Sequence, residues 1–163
     1  MPLRPDLVDC WLFRRAGADV DVLLLHRASG RPLAGLWQGV SGRVEAGERV
    51  AAAALREVAE ETGIGGDTVL AFFDLDLVNA FHWPASDGVV LSAIFAAQVG
   101  PDVDPVLSDE HDDWRWTPIE RATAEVVWPG YREALVRIRD DLADPARAAW
   151  FRLTPDGAGR LIE

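Results

Sequence analysis

Gly42-Arg43-Val44-Glu45-Ala46-Gly47-Glu48-Arg49-Val50-Ala51-Ala52-Ala53-Ala54-Leu55-Arg56-Glu57-Val58-Ala59-Glu60-Glu61-Thr62-Gly63-Ile64 is the stretch from which the rest of the chain can be ordered. It gathers Glu45, Glu48, Glu57, Glu60 and Glu61 with Arg56 into one loop and one helix. Carboxylates this close repel one another unless a cation lies between them. At 100° per residue, Arg56, Glu60, Glu57 and Glu61 fall within an arc of roughly 140°, while Ala51, Leu55, Val58 and Thr62 lie together on the other side. One face suits a core and the other suits charge. Glu57 and Glu61 are a like-charged i, i+4 pair that costs an isolated helix about 0.2–0.5 kcal/mol. Coordination of a hard cation by oxygen ligands is the chemistry that offsets such a cost. Glu48 must reach the same place from the preceding loop, whose Gly42 and Gly47 permit the turns.

The composition bounds what such a site can serve. A length of 163 residues favours one domain with a substantial core, and 49% hydrophobic with 26% charged residues is ordinary for a globular chain. No apolar run is long enough to span a bilayer, and Met-Pro-Leu-Arg-Pro-Asp at the start lacks a signal peptide's apolar core, so a cytoplasmic location is expected. Cys10 is the only cysteine; it excludes an internal disulfide and reads as a buried small hydrophobe. A formal net charge of −11 argues against binding long nucleic acids, which needs basic patches. A small phosphorylated substrate remains compatible when a divalent cation accompanies it.

Around the acidic stretch, Leu7–Arg14 and Val20–Arg27 read as strands joined by the turn Ala16-Gly17-Ala18-Asp19, an antiparallel hairpin. Residues 28–35 read as loop and Leu36–Val40 as one short strand. Gly63 is placed to cap the acidic helix. Thr68–Trp83 and Val89–Val99 are strand-like about a turn at Ser86-Asp87-Gly88, Asp102–Asp113 is an acidic loop, and Trp114–Trp116 is a short strand. Pro118–Ala124 reads as a short helix capped by Thr117, and Gly130–Leu142 as a longer one with Ala134, Leu135 and Ile138 buried. Residues 1–144 are expected to form one domain, and 145–163 a tail that packs on it or on a second subunit, leaving a homodimer open.

Gly42, Glu48, Arg56, Glu57, Val58, Glu60, Glu61, Gly63 and Ile64 match every fixed position of the signature of the Nudix hydrolases, a MutT-like family. A chance match in such a chain is on the order of one in ten million or rarer. The resemblance implies an α/β fold, an α/β/α sandwich with a mixed β-sheet, and the element order read above agrees with it. It also implies Mg²⁺- or Mn²⁺-dependent cleavage of a phosphoanhydride bond, with Glu57, Glu60 and Glu61 as metal ligands. Glu48 is then a further ligand or a partner that orients one. Arg56 is expected to hold a glutamate in its coordinating rotamer, which is compatible with an ordinary salt bridge to Glu60. The general base is either a carboxylate of the helix, Glu57 or Glu60, or Glu110 from the loop before Trp114. Glu45 reads equally as a solvated loop glutamate or a site residue, and His111 as an exposed loop histidine, with a phosphate contact as the alternative.

The run Leu36–Glu48, together with Glu110-His111, Trp116, Trp128 and the helix near Tyr131, resembles the dihydroneopterin triphosphate pyrophosphatase branch of the family. That likeness implies a nucleoside or pterin triphosphate cut to pyrophosphate and a monophosphate. Trp37 and Gln38 would hold the ring, with core packing the competing account of Trp37. Arg27 is a candidate phosphate contact or a surface salt bridge, and His82 a candidate pocket residue. The alternatives are another diphosphate substrate, namely a dinucleoside polyphosphate, nucleotide sugar or oxidised nucleotide, or a nucleotide-sensing module without catalysis.

Overall fold

The structure, a computed structural model, describes residues 2–162. Strand β1 (Leu7–Ala16) lies at its centre because six consecutive residues, Val8 to Phe13, are buried on both faces. It pairs antiparallel with β2 (Asp19–Arg27) through Phe13–Ala16, and the turn is made possible by Gly17 at φ 62°. Its other edge pairs in parallel with β6 (Gly88–Val99), which forms a long antiparallel hairpin with β5 (Val69–Trp83). The sheet is therefore mixed.

The single strand expected over Leu36–Val40 is instead two. Strand β3 (Trp37–Gln38) pairs with β2, whereas β4 (Val40–Arg43) pairs with β1. Between them the chain crosses from one strand to the other at Gly39, where a Cβ would stand 3.0 Å from the Trp11 ring. The β1–β2 ladder stops at Phe13 and Val22, so the two strands splay and β3 and β4 take the freed edges. Strand β7 (His111–Pro118) covers the remaining edge of β2 and begins three residues earlier than Trp114, inside the stretch expected to be loop.

Helices cover both faces. Helix α1 (Val50–Thr62) lays Ala53, Ala54 and Val58 on Val8, Cys10 and Leu12. On the opposite face, α2 (Ile119–Glu125) and α3 (Pro129–Asp141) pack Ile119, Ala134, Leu135 and Ile138 against Trp11 and Phe13. The stripe of α3 is the one its spacing predicts. Thr117 does not cap α2: it lies within β7, its hydroxyl is buried, and Pro118 occupies the cap position. Packing anchors these helices, since a fully buried Leu135 or Ile138 contributes about 1.5–3 kcal/mol while neither helix has a capping side chain.

In the tail, α4 (Pro145–Ala148) precedes β8 (Arg152–Leu153), which adds to the edge of β5 at Phe72 and Phe73. Arg160 pairs with Asp74 at 2.9 Å. No helix among the described residues is long and apolar enough to cross a membrane.

Candidate metal and catalytic site

Helix α1 ends where expected: Gly63 takes a left-handed φ of 67° and its N–H donates to the Ala59 carbonyl at 2.9 Å. That fixes the last turn, which carries Glu60 and Glu61. The carboxyl of Glu57 lies directly over β4. A Cβ on Gly42 would come within 1.9 Å of its Cδ, so the first glycine of the signature here leaves the room that the glutamate occupies.

Arg56 uses its whole fork. Nε and Nη2 donate to the two oxygens of Glu48 at 2.7 and 3.0 Å. Nη1 donates to Glu57 at 2.8 Å and to Glu60 at 3.2 Å, and Nη2 reaches the carbonyl of Arg43 at 2.9 Å. Glu48 also accepts the backbone N–H of Glu45 at 3.0 Å, and the Arg56 guanidinium beside it holds its carboxyl down to about 2. Both Glu48 oxygens are thus engaged, which makes it the clamp of Arg56 and of the 44–49 loop. Glu45 contributes only backbone to this arrangement; its side chain is exposed.

Glu61 differs from the other glutamates. It is only 2% exposed, and neither carboxylate oxygen has a well-aligned hydrogen bond among the described residues, although the Ser41 backbone lies close enough to favour its charged form slightly. The helix geometry explains its burial, because 100° per residue leaves Glu61 about 20° from Ala54 at the margin of the core-facing side. Burial, reinforced by the charges of Glu110 and Glu57, pushes its carboxyl up to about 9. Burial also raises Glu57, against the pull of Arg56. Glu110 comes in from the loop before β7 and is held by Arg27 at 3.1 Å. Glu57, Glu61 and Glu110 therefore share one electrostatic neighbourhood, which Glu60 also joins through its charge on Glu57 although its side chain is more than half exposed.

The remaining expected residues fare unequally. Arg27 is spent on Glu110 and on the carbonyl of Pro32. Trp37 has one ring face covered by the Arg115 guanidinium at 4.2 Å and lies 4.8 Å from the His26 ring, so it packs rather than presenting an open face. Gln38 is buried, and its amide donates to His111 at 2.9 Å, which removes it from the ring-holding role. His82 is exposed and its described partner is Asp87, across its own hairpin turn at 3.3 Å. His111 is the residue the sequence misplaces: it is buried, it opens β7, and burial lowers it to about 4. Its neighbour in the motif Glu110-His111 was the only signal pointing to it.

Among the described residues, no three His, Cys, Asp or Glu side chains converge as a ready metal cage. The cause is Arg56, which draws Glu48, Glu57 and Glu60 to itself. The donor set nonetheless fits a hard divalent cation. All of its members are carboxylates, and Glu61 has two enclosed oxygens that lack a partner.

This fold and site define a domain class that the comparisons name. The NUDIX domain family matches residues 3–138, and the chain belongs to that family. It is 38% identical over 123 residues to an octanoyltransferase of Myxococcus xanthus, a match covering 74% of this chain and 33% of that protein. A Listeria monocytogenes protein assigned to the Nudix hydrolases superposes with a TM-score of 0.73 at 27% identity, covering 85% of this chain and 94% of that one. The Escherichia coli dihydroneopterin triphosphate pyrophosphohydrolase superposes with a TM-score of 0.68 at 25% identity, covering 81% and 92%. The chain spans between 16% and 47% of the three curated relatives it matches.

Proposed function

We propose that this chain hydrolyses a phosphoanhydride bond in a nucleoside or pterin triphosphate, in the presence of Mg²⁺ or Mn²⁺, releasing pyrophosphate and a monophosphate. The observation that carries the reading is Glu61, buried beside Glu57 with both oxygens unpartnered on the face of α1 that meets β4. Such a carboxylate is costly unless a proton or a cation attends it. Likeness to the Escherichia coli dihydroneopterin triphosphate enzyme supports the pterin option.

Glu57 and Glu61 would hold the divalent cation, with Glu60 at the exposed end of the same face. When bound, that cation neutralises phosphate charge and polarises the bond to be cut. Glu110 is the carboxylate that takes the proton of the attacking water. It is partly exposed, and Arg27 holds it in place at 3.1 Å, whereas Glu57 is tied to Arg56. Arg56 sets the rotamers of Glu57 and Glu60 from the platform of Glu48.

The test is a panel of nucleoside triphosphates, dinucleoside polyphosphates, nucleotide sugars and a pterin triphosphate with Mg²⁺, scoring orthophosphate and pyrophosphate separately. Pyrophosphate release from a triphosphate is expected, with a loss of at least about a hundredfold for Glu57→Gln and Glu61→Gln. Near-normal turnover in either variant sinks the assignment. A nucleotide that binds with Mg²⁺ and yields no product would make this a sensing module.

A further inference from the structure

We infer that His111, set by Gln38, is a positioning residue whose Nδ1–H holds the Glu61 carboxylate in place for a cation. This rests on the reading above that Glu61 is one of the cation's ligands.

The His111 ring is fully enclosed, with its side chain 0% exposed. On one side the Gln38 amide nitrogen stands 2.9 Å from Nε2. An amide nitrogen only donates, so Nε2 accepts, and the single proton of the neutral ring is then on Nδ1. On the other side Nδ1 faces Glu61 Oε2 at 3.8 Å. That separation is roughly 0.8 Å beyond a hydrogen bond. It leaves Nδ1 and both Glu61 oxygens, all buried, without a well-aligned hydrogen bond among the described residues. An enclosed donor and an enclosed acceptor that face each other, with no well-aligned bond to either and only the Ser41 backbone beside Glu61, are complementary groups awaiting a small adjustment.

The placement ties Glu61 to the sheet as well as to its own helix. Gln38 lies opposite Leu25 on one edge of β2, and His111 opposite Arg27 on the other. Their side chains meet across β2 beneath the last turn of α1. Residues that orient a ligand in this way act on cation affinity rather than on the reacting atoms.

The experiment titrates the whole 163-residue chain with Mn²⁺ alone and follows free Mn²⁺ by its electron paramagnetic resonance signal. His111→Phe keeps a ring and removes both nitrogens. His111→Asn keeps an N–H near the Nδ1 position. Gln38→Met removes the donor that sets the tautomer, and Glu61→Gln removes the ligand. His111→Phe is expected to weaken Mn²⁺ binding by about tenfold to a hundredfold, Gln38→Met by less, and His111→Asn to stay within about threefold of wild type.

Wild-type affinity in His111→Phe and Gln38→Met, with Glu61→Gln weakened, overturns this inference and leaves the proposed function standing. Unchanged affinity in Glu61→Gln overturns both. A His111→Asn variant as weak as His111→Phe shows that ring packing matters and the donor does not, which also overturns the inference. If His111→Phe fails to fold by circular dichroism, Gln38→Met decides alone: a weakened affinity supports the inference and a wild-type affinity overturns it.

Discussion

Alanine at Gly42 is expected to spare the fold and cripple the chemistry. The added Cβ would stand 1.9 Å from Cδ, 2.2 Å from Oε1 and 2.4 Å from Cγ of Glu57. Ordinary carbon contacts begin near 3.4 Å, so the carboxyl must retreat by about 1.5 Å. Because the obstacle is the far end of a flexible side chain, the backbone need not move. The strand itself gains roughly 0.5–1 kcal/mol from losing a glycine. Against this stands the 2.8 Å bond from Arg56 Nη1 to Glu57, a charged hydrogen bond whose loss costs about 1.5–3 kcal/mol. Net destabilisation should therefore be about 0.5–2.5 kcal/mol, a fall in Tm of roughly 1–10 °C for a chain of this size. Turnover is another matter, since a displacement of about 1 Å in a reacting constellation costs about a hundredfold. Pyrophosphate release with Mg²⁺, set beside thermal unfolding followed by tryptophan fluorescence, separates the two effects. Wild-type turnover in Gly42→Ala would refute the placing of Glu57 in the site. A collapse of Tm in step with activity would refute the claim that the side chain alone yields.

Arg56→Lys should lower turnover by about tenfold to a hundredfold while Tm changes little, because a point charge cannot bridge Glu48, Glu57 and Glu60 as the planar fork does; steady-state rates at saturating Mg²⁺ decide it, and unchanged turnover means the fork is dispensable. Asp9 supplies a pH test of stability away from the glutamates. Burial pushes its carboxyl from 3.8 to about 6, with hydrogen bonds from Ser41 and Ser92 holding it back. The folded state thus keeps a proton that the unfolded chain has released, so this contribution is fully present below about pH 4 and lost as pH rises through about 6, some 3 kcal/mol in all. Asp9→Asn should gain on the wild type by about that amount between pH 4 and pH 7 in urea unfolding; a constant difference across the window would show that Asp9 is not desolvated as drawn.

How much was legible before the structure depends on how local the cause is. The acidic helix, its Gly63 cap and the buried stripe Ala134, Leu135 and Ile138 follow from a 3.6-residue period and a left-handed glycine, and both are properties of a short stretch. The strands β1, β2, β5 and β6 follow from runs of apolar residues closed by turns. The break at Gly39 was not legible, because it arises where β1 and β2 diverge and the Trp11 ring comes close. Neither was the enclosure of His111, which depends on β7 starting early against the far edge of β2. Trp37 could not be decided between ring platform and packed residue, because nothing nearby in sequence announces that Arg115 will lie over it.

The sequence by itself determined the family and the α/β class, and it singled out the candidate carboxylates, since a helix converts residue spacing into direction and the signature is a spacing. It could not rank those carboxylates. Only the tertiary structure separates Glu61, enclosed and unpartnered, from Glu60, more than half exposed, and assigns Glu48 to Arg56. It also moves Gln38 from an imagined substrate rim, and His111 from an expected exposed loop, to a buried contact beneath Glu61. The reason is physical: desolvation and hydrogen-bond partnership depend on which strands a residue's neighbours come from, and here those strands, β3 and β7, meet only across β2.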